Sequence, residues 1–429
     1  MPWSAQENPT DKPPEYGQNF GKGTVLLTPQ QAWSCILTHT TCLPATEVSA
    51  GEGFGHVLAE PVLADRNMPP ADRSAKDGFA VRAADLRRLP VTLPIIGEVA
   101  AGSSAAPVVT DGTCARIFTG ANLPPGADTV VQVEDTRSTG AGEVTVVRAE
   151  QAGANILRLG ENARAGRVLV RAGCVLGSLH LAVAAAIGRT SLYVFRQPRV
   201  AIIATGRELR PPEAEVGVHQ ERDSNGPMLT AAFRAAGFPV ASTCRVSDDL
   251  DAVTAALREA LAVADAVVLS GGVSVGAYDF VPAAVTAVGA SPHVHGVAMK
   301  PGKPFLFATA PDSRLVFGLP GNPLSAATTL HEFVLPALRR MAGWPEAGCR
   351  PLVRARLREA IANQPGRQRY VLATLEWNPS GPEVTPVDSQ SSADLASSAG
   401  ADGAVIVPPD AGGLAQGSLV DFRPWRVWP

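Results

Sequence analysis

Apolar and polar positions repeat with different periods along the chain, which indicates several structural modules. Residues 1–24 are polar and contain several prolines and glycines, so we expect a disordered leader. Thr28-Pro29-Gln30-Gln31 combines a capping threonine, a first-turn proline and a glutamine that can complete a capping box. This pattern predicts a helix that ends near Thr40.

Short β-branched runs separated by glycine and proline occupy Val62 to Glu150 and predict a compact β-rich module. The apolar segment Leu176–Ile187 predicts a helix. From residue 197 to 341, apolar strands alternate with helices, which predicts a parallel sheet with helices on both faces. Pro323 opens a last long helix, and Pro336 is expected to kink it because proline has no backbone donor.

Short strands return after Arg350 and predict a small C-terminal β-domain. The predicted fold class is therefore a multidomain α/β protein with a central parallel-sheet α/β domain. The predicted boundaries are an N-terminal helical region at 25–62 and 160–196, an inserted β-rich module at 63–159, the α/β domain at 197–345 and the β-domain at 346–429.

Composition narrows the class of function. The net charge is −3, and no run of five like charges occurs, which argues against nucleic acid or an anionic membrane as the main partner. No apolar stretch reaches the roughly 18 residues of a membrane span, and no signal-peptide core is present at the N-terminus. The six cysteines form no C-x-x-C pair and are interpreted as free thiols, so we expect a cytoplasmic protein.

The run L-S-G-G-V-S-V-G-A-Y-D at residues 269–279 is the main candidate for chemistry. It follows an apolar strand and precedes a predicted helix. Glycines let backbone N–H groups approach an anion, and Asp279 can hold a hard cation against a phosphate. The run can also be only a tight connection between a strand and a helix.

Acidic residues follow the neighbouring predicted strands. Glu208 comes after the first strand and Asp248 after the second, so both can converge with Asp279 at the edge where ligands bind in α/β sheets. Three carboxylates repel one another unless a cation neutralises them, and we therefore hypothesise Mg²⁺ there. Asp248 can alternatively be only a helix cap.

Four further loops carry candidate residues. M-K-P-G-K-P at 299–304 offers two lysines on a stiff loop, and G-L-P-G-N-P-L-S at 318–325 opens a helix whose free N–H groups can bind an anion. The loops at 72–80 and 119–128 hold acids, bases and a Thr-Gly pair. The loops at 72–80 and 299–304 can also be solvated turns, and the loop at 119–128 can be only a long hairpin loop.

Together these segments resemble the MoeA family, the molybdopterin molybdenumtransferases, which include the E-domain of gephyrin. The likeness runs in order from about residue 28 to 425. It implies an elongated homodimer with active sites at the subunit interface. It also implies a reaction in which adenylylated molybdopterin and molybdate yield molybdenum cofactor and AMP with Mg²⁺.

The resemblance also implies the role of each site residue. The catalytic residues are Asp279, Glu208 and Asp77. The metal ligands are Asp248 and Asp279. The substrate-binding residues are Thr119, Gly271, Gly272, Ser274, Gly276, Lys300, Lys303, Pro320, Gly321, Asn322, Pro323 and Ser325. Asp77 and Thr119 are expected to act across the dimer interface.

Departures from the family pattern leave three functions open. Arg207 replaces an aspartate, Gly296 and Leu372 replace cations, and Arg73 and Lys76 introduce charge. The leading hypothesis is the molybdenumtransferase, with a molybdopterin adenylyltransferase as a further partner protein. The alternatives are a non-catalytic molybdopterin-binding scaffold or sensor, and an adenylyltransferase. Whether molybdenum or tungsten is inserted stays open.

Overall fold

The structure, a computed structural model, describes residues 26–140, 142–274 and 279–426. Contacts divide this part of the chain into two compact units. The first unit comprises residues 26–47, 55–59 and 193–426, and the second comprises Val48–Phe54 and Glu60–Leu192. The predicted leader lies outside the described residues, and the predicted domain boundaries stay predictions.

A six-stranded sheet forms the centre of the first unit. Its strands, in spatial order, are Val240–Val246, Val200–Thr205, Ala266–Ser270, Leu315–Leu319, Leu306–Thr309 and Ser291–His295. The first four strands run parallel to their neighbours, and the last two are antiparallel. The predicted parallel strands are therefore present, and an antiparallel edge makes the sheet mixed.

Side chains of the central strands alternate between two buried cores. Ile202 and Phe317 contribute to one core, and Ile203 and Val316 contribute to the other. Helices cover both faces, which explains why these strands are continuously apolar in sequence. The helices are Pro29–Thr38, Asn225–Ala235, Leu250–Val263 and Val281–Ala287. The first of them begins with the predicted capping box, in which Thr28 and Gln31 bond reciprocally.

The last helix of the central domain contains an irregular turn. It begins as Pro323–Thr329, widens to a π-helix over Leu330–Val334 and continues as Leu335–Met341. The irregularity predicted at Pro336 takes this form, because proline offers no N–H to the carbonyl four residues earlier. The widened turn holds buried Glu332, which accepts hydrogen bonds from Arg350 and Arg423.

A second six-stranded sheet forms the predicted C-terminal β-domain. Its strands, in spatial order, are Met299–Lys300, Gln368–Asn378, Gly381–Pro386, Val353–Leu357, Leu419–Pro424 and Gly403–Val407. Gln368–Asn378 also pairs with Gly403–Val407, which closes the sheet on itself. The smaller elements nearby are the strands Leu209–Arg210, Glu221–Arg222, Ile361–Ala362 and Gly413–Leu414 and the helices Glu346–Cys349 and Leu395–Ser398.

The second unit is built on a third six-stranded sheet, in agreement with the β-rich module predicted there. Its strands, in spatial order, are Thr129–Gln132, Gly78–Val81, Cys114–Ile117, Val91–Val99, Glu143–Val146 and Thr136–Ser138. Its shorter elements are the strands Val62–Leu63, Arg73–Ser74, Ile156–Leu157 and Val168–Val170, the helix Ser178–Ala186 and the 3₁₀ turns Ala50–Glu52, Ala83–Leu86 and Val133–Asp135. The strands Ala45–Ser49 and Ser191–Phe195 lie where the chain passes from one unit to the other.

The cysteines agree with the expectation of free thiols. All six cysteines are free thiols. None of the helices in the described ranges combines the length and the apolar character needed to cross a bilayer.

Candidate active site

The parallel strands of the central sheet end at a cavity of about 1400 Å³ within the first unit. Its walls come from the ends of these strands and from loops of the C-terminal sheet. Ligands of open α/β sheets bind at this edge, beyond the carboxyl ends of the strands. The cavity is therefore the candidate active site.

The loop after Ala266–Ser270 approaches the backbone of a neighbouring strand closely. Gly271 has a φ of +99°, and a Cβ there would press against the carbonyl oxygen of Thr205. The Gly271 N–H donates to Leu319 O at 3.0 Å, which ties this loop to the next strand. Gly271, Gly272 and Ser274 line the cavity, whereas Gly276 lies outside the described residues.

Asn225 connects this loop to the second glycine loop. Its amide Nδ2 donates to Ser270 Oγ at 2.8 Å and to Gly321 O at 2.7 Å. Asn322 in turn donates to Ser392 Oγ at 2.9 Å, so the second loop is also held by the C-terminal domain. The predicted residues of this loop that line the cavity are Pro320, Gly321, Asn322, Pro323 and Ser325.

The three predicted carboxylates all line the cavity. Glu208, Asp248 and Asp279 come from the ends of different segments, as the topology predicts. Asp249, not Asp248, caps the helix Leu250–Val263, because its Oδ1 accepts from the Ala252 N–H at 2.9 Å. The interpretation of Asp248 as a helix cap is therefore wrong.

Arg207 holds the segment that carries Asp248. The Arg207 N–H donates to Asp248 Oδ2 at 3.2 Å, and the Arg207 guanidinium donates to the Asp248 carbonyl at 3.1 Å. The substitution at residue 207 thus adds a cation that bonds to the backbone of a predicted metal ligand.

Cations line the cavity from the loop at 299–304 and from the C-terminal sheet. Lys300 and Lys303 are both exposed at the cavity wall. Arg367 and Arg369 join them from the strand Gln368–Asn378 and the residue before it. This arrangement suits an oxyanion, because ammonium and guanidinium groups donate charge-assisted hydrogen bonds to such groups.

Gly296 and Leu372, which stand where the family pattern has cations, have other structural roles in this chain. Gly296 has a φ of +93°, a conformation that a lysine adopts only with strain. Leu372 is buried and packs with Leu324 and Ala401.

Two buried polar residues at the cavity, Thr205 and Asn225, are not among the predicted site residues. Thr205 Oγ1 and Asn225 Oδ1 have no hydrogen-bond partner in the described part of the chain, and both residues line the cavity. Buried polar atoms without partners are rare and mark places that a ligand or water completes. Thr205 ends the strand that precedes the candidate Glu208, which was the available sequence signal, whereas no local pattern placed Asn225 at the cavity.

The candidate residues of the second unit form a compact arrangement of their own. Asp77 Oδ1 accepts from the Thr119 N–H at 2.7 Å and from its hydroxyl at 2.8 Å. These bonds lower the pKa of Asp77, the backbone bond most strongly. Both donors of Thr119, a predicted substrate-binding residue, therefore point at the Asp77 carboxylate.

Asp248 and Asp279 are of the residue type that binds a magnesium ion, and a substrate would supply the remaining ligands of such an ion. In the described residues, no group of three His, Cys, Asp or Glu side chains is assembled as a metal site. Asp248 and Asp279 nevertheless both line the cavity, and Mg²⁺ is commonly held by one or two carboxylates together with substrate phosphates and water.

Comparisons with known proteins cover nearly the whole chain. The family models named MoeA N-terminal region (domain I and II), probable molybdopterin binding domain, and MoeA C-terminal region (domain IV) match residues 27–188, 201–340 and 354–425. Molybdopterin molybdenumtransferase of Staphylococcus aureus strain Mu50 is 33% identical over 397 residues, which cover 92% of this chain and 94% of that protein.

Two structures of the MoeA molybdopterin biosynthesis protein from Pyrococcus horikoshii are also similar. One has a TM-score of 0.81 at 28% identity and covers 93% of this chain and all of that chain. The other has a TM-score of 0.79 at 31% identity and covers 94% of this chain and all of that chain.

Proposed function

The chain belongs to the MoeA family, and from this premise we propose that it inserts molybdate into adenylylated molybdopterin with release of AMP. Its role lies in molybdenum cofactor biosynthesis, where its relatives are molybdopterin molybdenumtransferases. One observation carries the specific proposal: the two glycine loops, the three carboxylates and the two lysines line one cavity.

Substrate binding divides between backbone and side chains. The N–H groups at the two glycine loops suit the phosphate groups of the pterin substrate. Lys300, Lys303 and Ser325 suit molybdate, because they offer cationic and hydroxyl donors to a tetrahedral oxyanion. The cavity thereby holds the metalate beside the pterin, which turns their encounter into a step within one complex.

The carboxylates serve cleavage of the phosphoanhydride. Asp248 and Asp279 would hold Mg²⁺, which supplies positive charge to the phosphate oxygens of the departing AMP. Glu208 and Asp279 would orient a water molecule and accept its hydrogen bonds as it attacks the phosphoanhydride, whose P–O–P bond breaks to leave AMP and the pterin phosphate. The Arg207 guanidinium donates a hydrogen bond to the Asp248 carbonyl and so keeps the Asp248 carboxylate at the cavity.

We further propose that the protein is a cytoplasmic homodimer and receives its substrate from an adenylyltransferase. Asp77 and Thr119 then act in the site of the partner subunit, as the family resemblance implies. Their mutual hydrogen bonds keep the Asp77 carboxylate ionised and oriented.

The test uses the purified full chain with adenylylated molybdopterin, molybdate and Mg²⁺. AMP release is measured, together with reconstitution of an apo-molybdoenzyme by the product. We expect both activities with Mg²⁺ and neither after treatment with a chelator. AMP release that persists after exhaustive chelation would contradict the role of Mg²⁺, and its absence with all reactants present would refute the enzyme.

A non-catalytic scaffold is the second candidate. The observation that favours it is the absence of side-chain charge at Gly296 and Leu372, where the family has cations. Such a scaffold binds molybdopterin without releasing AMP. ATP consumption with unmodified molybdopterin would instead favour the adenylyltransferase.

A further inference from the structure

The strand that carries Lys300 lies beside the strand that carries Arg369. Met299–Lys300 pairs in parallel with the start of Gln368–Asn378, and the partner of Lys300 in this register is Arg369. Neighbouring strands are about 4.8 Å apart, and residues paired in register project from the same face. The two cationic side chains therefore leave the sheet side by side.

Strand alternation separates the charged side chains from the core. Gln368 donates to the Tyr370 hydroxyl at 2.6 Å, and Tyr370 is buried in the core of the first unit. Arg369 alternates with these residues along the strand and lines the cavity, and Arg367, the residue before the strand, lines it as well. Arg369, the register partner of Lys300, thus faces the same side as that lysine.

The guanidinium of Arg369 is held at the cavity wall. Its Nη1 donates to Ala362 O at 2.7 Å, and Ala362 is itself a wall residue. In the described part of the chain this is its one hydrogen-bond partner, so its other N–H groups remain to meet a ligand. A guanidinium fixed in this way presents a planar pair of donors that matches two oxygens of one anion.

We propose that Arg369 is a specificity-determining residue that binds a dianionic tetrahedral oxyanion together with Lys300. The proposal rests on the function proposed above, in which molybdate and phosphate groups share this cavity. Leu372 is buried in an apolar cluster, so the charge that this strand delivers to the cavity comes from Arg367 and Arg369. The chain therefore carries its oxyanion donor at a different position of the strand.

Equilibrium dialysis of the full chain against molybdate, and separately against inorganic phosphate, tests the proposal. The R369Q variant keeps a side chain of similar length but loses the charge. Hydrogen bonds to charged groups contribute about 1.5–3 kcal/mol, so we expect R369Q to bind at least one anion about 10- to 100-fold more weakly. The molybdate arm reports a metalate site, and the phosphate arm reports a site for the pterin phosphate.

Arg356 provides the matched control. It lies in Val353–Leu357 of the same sheet, its guanidinium donates to Gly417 O at 3.0 Å, and it is absent from the cavity wall. We expect R356Q to bind both anions within about twofold of the wild type, because exposed charges far from a site act weakly. Equal losses in R356Q and R369Q would overturn the proposal.

Kinetics separate this inference from the proposed function. If molybdate is the anion, R369Q raises the KM for molybdate and leaves the KM for adenylylated molybdopterin unchanged. Wild-type protein that binds an anion through Arg369 but releases no AMP would refute the function and keep the inference. Unchanged binding of both anions by R369Q would overturn the inference, as would a wild-type protein that binds neither. Should R369Q unfold at a lower temperature, R369K decides instead, with an intermediate loss of affinity expected.

Discussion

Two adjacent aspartates illustrate how neighbouring residues take different roles. Asp249 caps a helix through the Ala252 N–H, whereas Asp248 contacts Arg207 and lines the cavity. Both types of position favour aspartate, so the sequence left the assignment open. The contacts show that the helix is capped without Asp248, whose carboxylate accepts from the Arg207 N–H at the cavity.

The first prediction separates these two roles by substitution. D248N is expected to lower kcat for AMP release by about 10²- to 10³-fold, because an electrostatic contact to the reacting phosphates is lost. D249A is expected to retain this activity but to lose about 1 kcal/mol of unfolding free energy, the usual cost of a lost cap. Steady-state AMP release and urea unfolding measure the two effects. Equal activity in both variants would contradict the role of Asp248.

His293 is a candidate pH-sensitive residue away from the cavity. Its ring stacks on His39 with centroids 3.7 Å apart, and its Nε2 bonds to the Thr309 hydroxyl. Burial, and then the neighbouring His39, lowers the pKa of His293 to about 4. The folded state therefore favours the neutral ring. As the pH decreases below about 6.5, the unfolded chain binds a proton that the folded chain does not, so the unfolding free energy decreases.

The second prediction follows from this sign. Between pH 7 and 5, wild-type protein should lose more unfolding free energy than H293N, whose side chain does not titrate, by about 1 kcal/mol once solvent screening of the half-buried ring is included. The loss should level off below about pH 4, where folded and unfolded rings are both protonated. Urea unfolding at several pH values measures it. The exposed His219 is the control, and H219N should match the wild type.

At the scale of elements, the widened turn in the last helix of the central domain carries a buried ionic cluster. Glu332 is 1% exposed, and its two oxygens accept from Arg350 and Arg423, which reach it from the C-terminal region. A buried charge needs such partners, because its desolvation is otherwise uncompensated. The cluster thus fixes the central domain to the C-terminal domain.

The third prediction removes this buried charge. E332Q leaves two buried guanidinium groups without their counter-ion and is expected to lose about 3–5 kcal/mol of unfolding free energy. The exposed Glu346 serves as the control, with E346Q expected to change stability by less than about 0.5 kcal/mol. Guanidinium chloride unfolding measures both. A loss in E332Q no larger than in E346Q would contradict this account.

Local pattern predicted the elements well, because helix caps and apolar periods act over a few residues. The capping box at Thr28, the strands that end at the cavity and the disturbance near Pro336 all belong to this class. The pairing of Met299–Lys300 with Gln368–Asn378 does not, because it joins segments about seventy residues apart and depends on tertiary packing. The position of the Arg369 guanidinium at the cavity and the unpaired Oδ1 of Asn225 were not predicted, for the same reason.

At the scale of the whole molecule, the family assignment joins observations that the two units give separately. The first unit contains the cavity, and the second contains the Asp77–Thr119 pair. In the proposed homodimer, the cavity of one subunit and the Asp77–Thr119 pair of the other serve the same reaction. This link rests on the resemblance and requires a test in the assembled protein.

The fourth prediction concerns that assembly. Dimers of D77N and dimers of D279N should each be inactive. After subunit exchange, half of the dimers are mixed and each regains one intact site, so about a quarter of the wild-type AMP release should return. A mixture that stays inactive after exchange, verified with differently tagged subunits, would place both residues in the site of the same subunit.

The short strand Met299–Lys300 has a mechanical consequence. It hydrogen-bonds into the C-terminal sheet, yet the strands on either side of it in sequence, Ser291–His295 and Leu306–Thr309, belong to the central sheet. The backbone thus tethers the two domains at the position of the lysines. A hinge motion that separates the two domains near Lys300 would have to break the pairing of Met299–Lys300 with the C-terminal sheet. We therefore expect the side of the cavity that carries the lysines to keep its shape through each turnover.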